Sequence, residues 1–220
     1  MNSSKKLTIL IYTAGWALAW TLIVWLIDRG AIGPGGSVVG MSVVNGWFRG
    51  LFDYGESGFS QPLYFASMIM GAFALAVCLF WAVFGIIKRA VSKPRKLDNS
   101  LFAAYLLYAA AALVILVFRL IAVNYSPVIM PFRLSLDPSY PSAYVMIIMI
   151  AMGSSICLIG EFIEKRRRLA LALRIFCAVF AAAAIVVRTL CGVSWLTDIV
   201  GGLLFSMSLL LLYSVLFCDA

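Results

Sequence analysis

Long apolar runs alternate with short polar stretches along the whole chain. Each of six runs is long enough to cross roughly 30 Å of hydrocarbon as a helix. They lie at residues 7–27, 63–87, 101–123, 142–163, 169–190 and 195–217. Hydrophobic residues make up 64% of the 220 positions, and the mean hydropathy is +1.05, well above that of a soluble domain. The pattern therefore predicts an all-α integral membrane protein, a bundle of six transmembrane helices forming a single membrane domain over residues 1–220.

Positive charges gather between alternate runs. Lysine and arginine cluster near the N-terminus, over residues 88–96 and over residues 165–168. Since these residues are enriched in cytoplasmic loops, we predict that both termini and the loops at 88–100 and 164–168 face the cytoplasm. The formal net charge of +8 is then explained by the membrane topology, and no nucleic-acid partner is expected. The first run is about twenty residues long and ends without a small-residue cleavage site, so we interpret it as a retained span.

The remaining connections are expected to face outwards from the plasma (inner) membrane. They are residues 28–62, 124–141 and 191–194. In the first of them, Trp47, Phe48, Leu51 and Phe52 predict a short helix at the membrane interface, and Arg49 is expected to be peripheral. The third and fifth spans are rich in alanine, which lets helices approach closely, so both are expected in the bundle interior.

The sequence lacks the residues and motifs that several kinds of chemistry need. The chain has no histidine, which is the commonest metal ligand and general base. Its five cysteines are an odd number and lie mostly inside predicted spans, so no disulfide framework is expected. Neither a phosphate-binding Walker loop nor a dinucleotide fingerprint is present. No metal and no cofactor are therefore expected.

Charged residues within the spans are the strongest functional signal, because a charge in the membrane needs a partner or a ligand. At 1.5 Å per residue, Arg119 lies roughly 27 Å and Arg188 roughly 28 Å above the cytoplasmic ends of their spans. Asp198 lies about one turn below the outer end of the last span. Ser142, Tyr144 and Ser194 reach the same level.

This convergence favours a polar pocket on the outer face. Separate interfacial anchors and structural ion pairs are the alternative, since a single arginine at a helix end often extends to the interface. Ser194 and Asp198 are four residues apart and would share one face of a helix, and we expect Asp198 to pair with Arg188. Two guanidinium groups beside hydroxyls suit a phosphate, because each offers a planar fork of donors.

In order and spacing, these residues resemble three motifs of the type 2 phosphatidic acid phosphatase (PAP2) superfamily. Arg188, Ser194 and Asp198 have the spacing of its third motif, in which histidine stands at the middle position. The segment PSAY, residues 141–144, resembles the second motif, Pro-Ser-Gly-His. Arg119 and Ser126-Pro127 stand where the first motif has Lys and Arg-Pro. The resemblance covers residues 101–217, the PAP2-like core, and implies a six-span fold with an outward-facing site.

The resemblance also implies a chemistry that this chain has lost in part. In such enzymes the third-motif histidine attacks phosphorus, the aspartate orients it, and the second-motif histidine protonates the leaving lipid alcohol. Here Ser194 replaces the nucleophile, Tyr144 replaces the acid, and Ser126 replaces a phosphate-binding arginine. Ser194, Asp198 and Tyr144 are thus degenerate catalytic positions, whereas Arg119, Ser142 and Arg188 are expected to bind phosphate.

We therefore expect a pseudo-phosphatase that binds a phosphorylated lipid headgroup, either phosphatidic acid-like or a polyprenyl phosphate. A serine nucleophile needs a base, and Asp198 beside an arginine would be only weakly basic. Two alternatives stay open. One is an active lipid phosphatase or phosphotransferase with non-standard catalytic residues, and the other is a transporter of anionic lipids.

Overall fold

The computed structural model describes residues 3–55, 57–91, 98–129, 136–163 and 166–217. Within these ranges the chain forms seven α-helices, and Pro34–Gly36 forms a 3-10 turn. The helices are α1 (Ser3–Leu26), α2 (Ser42–Gly50), α3 (Gln61–Val91), α4 (Asn99–Ile121), α5 (Ala143–Phe162), α6 (Arg167–Leu190) and α7 (Leu196–Phe217). All except α2 are long and apolar enough to cross a membrane. The prediction of an all-α protein with six spans is confirmed. Helices suit the membrane because their backbone N–H and C=O groups form hydrogen bonds with each other where no water is available.

The centre of the bundle differs from the sequence expectation. In the most apolar stretch of each helix, 56% of the residues are buried in α5 and 44% in α7, against 28% in α4 and 17% in α6. The prediction that the alanine-rich spans form the interior is therefore wrong. Alanine is compatible with both lipid and close packing, and α6 buries only one face, which carries Ala170, Cys177, Ala181 and Ala184.

Two adjacent glycines in α7 leave room for the segment before α5 to pack closely against this helix. A β-carbon on Gly201 would lie 2.6 Å from the ring of Tyr140, and one on Gly202 would lie 2.9 Å from the carbonyl oxygen of Ser142. The buried Tyr140 hydroxyl also shares a hydrogen bond of 2.8 Å with Thr21 of α1. The segment that leads into α5 is thus packed against α7 and α1.

The short helix α2 confirms that the predicted segment is helical, although the helix begins earlier than expected and ends before Leu51 and Phe52. Its position at the membrane interface stays a prediction. Asp28 accepts hydrogen bonds from the hydroxyl of Ser42 and the backbone of Val43, which satisfies groups of the first turn. On its other face, Asn45 is buried and donates to Thr197 of α7 at 2.9 Å. The helix is therefore attached to the bundle.

The described residues of three connections lie together at one end of the bundle, which we call the site pole: residues 27–55, 57–60, 122–129, 136–142 and 191–195. At the opposite pole, Lys88 at the end of α3 forms an ion pair of 2.7 Å with Asp98 before α4. Lys93, Arg95, Lys96 and Lys165, which belong to the predicted cytoplasmic clusters, lie outside the described residues.

Candidate functional site

A cavity of about 550 Å³ lies at the site pole among α3, α4, α5 and the end of α6. Five of the six predicted site residues line it: Arg119, Ser142, Tyr144, Arg188 and Ser194. Ser126 and Asp137 of the connection between α4 and α5 line it as well. The depth argument from the sequence thus identified side chains that share one cavity.

Arg188, in the last turn of α6, is the most constrained cation of the cavity. Its Nε donates to Ser194 Oγ at 3.2 Å, and its Nη1 donates to Ser67 Oγ at 3.4 Å. Its Cζ lies 4.8 Å from the centre of the Tyr144 ring. In the described part of the chain, nothing accepts a hydrogen bond from Nη2 and no carboxylate forms an ion pair with this guanidinium. A positive charge with a free donor therefore borders the cavity.

The N-terminus of α5 supplies a second attraction for an anion. Ser142 caps this helix, with its Oγ accepting from the backbone of Val145 at 3.5 Å. Residues 142–144 line the cavity, so the first turn of a 20-residue helix borders it. The unpaired N–H groups and the dipole at a helix N-terminus both favour negative charge.

Arg119, in the last turn of α4, supplies a third attraction for an anion. Its side chain is exposed, and among the described residues it has neither a hydrogen bond nor an ion pair. Ser126, where the PAP2 motif has arginine, instead donates its hydroxyl to the carbonyl oxygen of Val128 at 3.0 Å. The cavity thus has two guanidinium groups, and the position of a third is taken by a locally bonded serine.

Ser194 borders the cavity without a base beside it. The hydrogen bond to its Oγ comes from Arg188, a donor that cannot accept its proton. No carboxylate of the described residues lies within hydrogen-bonding distance of Ser194. The neighbouring Cys191 is buried, and burial raises the pKa of its thiol, so it is held in the protonated form.

The sequence-based pairing of Asp198 with Arg188 and its shared face with Ser194 are both wrong. α7 begins at Leu196, so Ser194 precedes the helix, and the four-residue spacing does not place the two side chains together. Asp198 is fully buried behind the cavity wall, where its Oδ1 accepts from Asn124 Nδ2 at 2.8 Å. Its backbone oxygen accepts from the N–H of Ser142 at 2.9 Å. Asp198 therefore holds the cavity wall together.

Asn124 is the residue that the sequence reasoning missed beside Asp198. It is fully buried, and its Oδ1 accepts from the backbone of Gly40 at 2.9 Å, which joins two connections of the site pole. An amide directly after an apolar span was the available signal, because a polar side chain there must find partners inside the protein.

Arg49 of α2 is likewise not peripheral. It donates to the carbonyl oxygens of Gly192 at 2.8 Å and Gly58 at 2.6 Å, and it lies over the rings of Tyr54 and Trp195. Burial lowers the pKa of this guanidinium, although Tyr54 acts in the opposite direction. Gly192 has φ +81°, so Arg49 secures the tight turn that carries Ser194.

We expect Arg49→Ala to lower the free energy of unfolding by about 2 kcal/mol, because two carbonyl groups lose a charged donor. Thermal melting in detergent measures the change. Arg29→Ala removes the same charge from an exposed position in the same connection and is the control. Equal melting temperatures for the two variants would contradict the anchoring role of Arg49.

The α3 wall of the cavity is apolar. Met68, Gly71, Ala72 and Leu75 line it, and Met68 and Leu75 are each more than half exposed on the helix surface. From Tyr64 to Leu75 this wall extends about 16 Å along the helix. The cavity therefore combines a cationic end with an apolar side that continues onto the outer surface of the bundle.

No protein-family model matches the chain, and no curated protein matches its sequence. In structure the chain is similar to a PAP2-type phosphatidylglycerolphosphate phosphatase from Bacillus subtilis, with a TM-score of 0.62. The likeness covers 94% of this chain and 93% of that one, at 15% sequence identity. Similarity at this level concerns the fold, and the fold that the motif resemblance implied is the one observed. The protein is an integral membrane protein with a PAP2-like bundle of six membrane-spanning helices.

Proposed function

We propose that the protein binds the phosphorylated headgroup of a lipid in the cavity at its site pole and does not hydrolyse it. The observation that carries this proposal is the convergence of Arg119, Arg188 and the N-terminus of α5 on one cavity. Phosphate oxygens are acceptors with negative charge, and all three features offer donors in a positive field.

The shape of the cavity supports a lipid rather than a free anion. Its cationic end lies at the level of the helix ends, whereas its α3 wall continues for about 16 Å along the membrane-spanning direction. Residues of this wall, such as Met68 and Leu75, are exposed where lipid chains surround the bundle. A headgroup between the arginines therefore leaves its chains beside an apolar surface.

The replaced catalytic positions support binding without hydrolysis. Ser194 receives a hydrogen bond from Arg188 and has no base within reach among the described residues. The Tyr144 hydroxyl is buried and has no hydrogen-bond partner among the described residues, so it does not face the cavity as a proton donor would. Asp198 is bonded to Asn124 instead of to a nucleophile.

An active lipid phosphatase is the second candidate, because the Bacillus subtilis structure that shares this fold is described as a phosphatase. In that case Ser194 would be the nucleophile, since it is the hydroxyl beside Arg188 in the cavity. Transport has less support. Below the cavity, the polar groups bond to one another, as Tyr108 does to Ser154 and Trp81 to Ser155, within an apolar cluster.

We propose further that the site pole faces out of the cell, as the lysine and arginine clusters indicate. Asp53 at the site pole and Asn99 at the opposite pole are both exposed. Each is replaced by cysteine in a separate variant, Asp53→Cys and Asn99→Cys. In intact cells, a membrane-impermeant maleimide is expected to label the first and to spare the second until the membrane is opened. The reverse pattern would contradict the proposed orientation.

A binding titration tests the proposed function. Purified protein in detergent is titrated with dioctanoyl phosphatidic acid, its lysophosphatidic acid counterpart, a short polyprenyl diphosphate and dioctanoyl phosphatidylcholine. Saturable binding is expected for lipids with a terminal phosphate and not for phosphatidylcholine, whose phosphate is capped by choline. Equal binding of all four lipids would indicate an apolar surface without phosphate recognition.

A further inference from the structure

We propose that Tyr144 is a positioning residue, whose ring holds the Arg188 guanidinium in the orientation that binds phosphate. The inference rests on the proposed function, because it assigns a role in the same cavity. It concerns the position at which the PAP2 motif has its acid histidine, and it gives the replacement a different task. In this role the ring acts and the hydroxyl does not.

The two ends of the Tyr144 side chain have different surroundings. The residue lines the cavity, and the centre of its ring lies 4.8 Å from Cζ of Arg188. The hydroxyl oxygen, in contrast, is buried and has no hydrogen-bond partner in the described structure. A hydroxyl that served a ligand would be accessible from the cavity. The contact that this side chain makes with the site is therefore the contact between its ring and the guanidinium.

The opposite wall is shaped to accept the ring. A β-carbon on Gly71 of α3 would lie 3.1 Å from Cε2 of Tyr144 and 3.4 Å from Cδ2. The first distance is shorter than an ordinary van der Waals contact, so any side chain at position 71 would push against the ring. Gly71 and Arg188 thus both limit where the ring can lie.

Three contacts then fix the guanidinium. Ser194 accepts from Nε, Ser67 accepts from Nη1, and the Tyr144 ring lies against the group. Ser67 is itself fully buried and donates to the carbonyl oxygen of Tyr64 at 2.8 Å, so it is a fixed partner. The remaining Nη2 is left for a ligand. Because an arginine held in its binding orientation loses little side-chain freedom on binding, the arrangement raises phosphate affinity.

Two substitutions of Tyr144 separate the ring from the hydroxyl. Tyr144→Leu removes the ring and is expected to weaken binding by about fivefold, the size of one cation–π contact at a partly buried site. Tyr144→Phe restores the ring and is expected to recover the affinity. The probes are dioctanoyl phosphatidic acid and inorganic phosphate, both measured by calorimetric titration. A lipid headgroup site shows the loss with the first probe, and a site for free phosphate shows it with the second.

Gly71→Ala provides an independent perturbation, and its effect as a single change tests the inference even if Tyr144→Leu folds poorly. Alone, it is expected to weaken binding, because its β-carbon displaces the ring. Combined with Tyr144→Leu, it is expected to add no further loss, since the ring it displaces is gone. Losses that simply add would show that Gly71 acts by another route and would overturn the inference.

The outcomes distinguish the inference from the proposed function. If the unmodified protein binds neither probe, the proposed function fails, and the inference fails with it. If it binds and Tyr144→Leu binds equally well, the inference alone fails. If Tyr144→Phe is as weak as Tyr144→Leu, the hydroxyl is the active group and the positioning role of the ring is overturned.

Discussion

Replacing Arg188 by alanine is expected to weaken the binding of dioctanoyl phosphatidic acid by about fiftyfold, the effect of losing charged hydrogen bonds in a desolvated site. Arg188 is the cation that borders the cavity with its orientation fixed and with one donor, Nη2, that has no acceptor in the described part of the chain. Calorimetric titration of the purified variant measures the loss. Folding is expected to survive, because the substitution leaves no carboxylate of the described structure without its ion-pair partner.

Arg174→Ala is the matched control. Arg174 lies on the same helix towards the opposite pole, is exposed, and donates its Nε to the carbonyl oxygen of Ile156. The variant has the same net charge as Arg188→Ala but an intact cavity. Equal weakening in both variants would mean that overall charge attracts the anionic lipid, and it would contradict a defined site at Arg188.

Asp198→Ala is expected to produce the largest loss of stability, about 3 kcal/mol, because it removes a fully buried acceptor and leaves the amide nitrogen of Asn124 with only a long hydrogen bond of 3.5 Å to Thr197. Asp198→Asn is expected to cost less, since its carbonyl oxygen can still accept from Asn124. Melting temperatures in detergent measure both changes. A larger loss of stability for Asp198→Ala than for Asp198→Asn is expected if Asp198 holds the cavity wall together through its hydrogen bond with Asn124.

Asp53→Ala is the control for these variants, because Asp53 is exposed and, among the described residues, accepts a hydrogen bond only from the backbone of Gly55 in its own turn. Melting temperatures for Asp198→Ala and Asp53→Ala that agree within error would contradict the structural role of Asp198. A drop for Asp198→Asn as large as that for Asp198→Ala would point instead to a requirement for the carboxyl group itself.

Much of this arrangement could be predicted from the sequence, because membrane thickness fixes depth. The lengths of the apolar runs set the six spans, and counting residues from their ends placed Arg119, Arg188 and Tyr144 at one level. The cavity that they share confirms this level. The depth of a residue in the membrane does not determine which way its side chain points, however. Asp198 has the right height and points into the wall, where Asn124 binds it.

The errors arose where partners are distant in sequence or where one residue type suits two environments. Arg49 lies in a glycine-rich connection, and its acceptor on Gly192 is 143 residues away, so no local pattern indicates the contact. The alanines of α4 and α6 pack closely against neighbours and also face lipid, so their number does not locate the centre of the bundle. The start of α7 at Leu196 is a boundary of the kind that sequence patterns place least accurately.

The measurement that tests the central claim most directly is the release of free phosphate from a lipid that the protein binds. Dioctanoyl phosphatidic acid is incubated with the unmodified protein at a saturating concentration, alongside Ser194→Ala and Arg188→Ala. We expect saturable binding by the unmodified protein with no phosphate released above the level of either variant. Turnover by the unmodified protein that disappears in Ser194→Ala would contradict a binding role without hydrolysis and would identify Ser194 as the nucleophile.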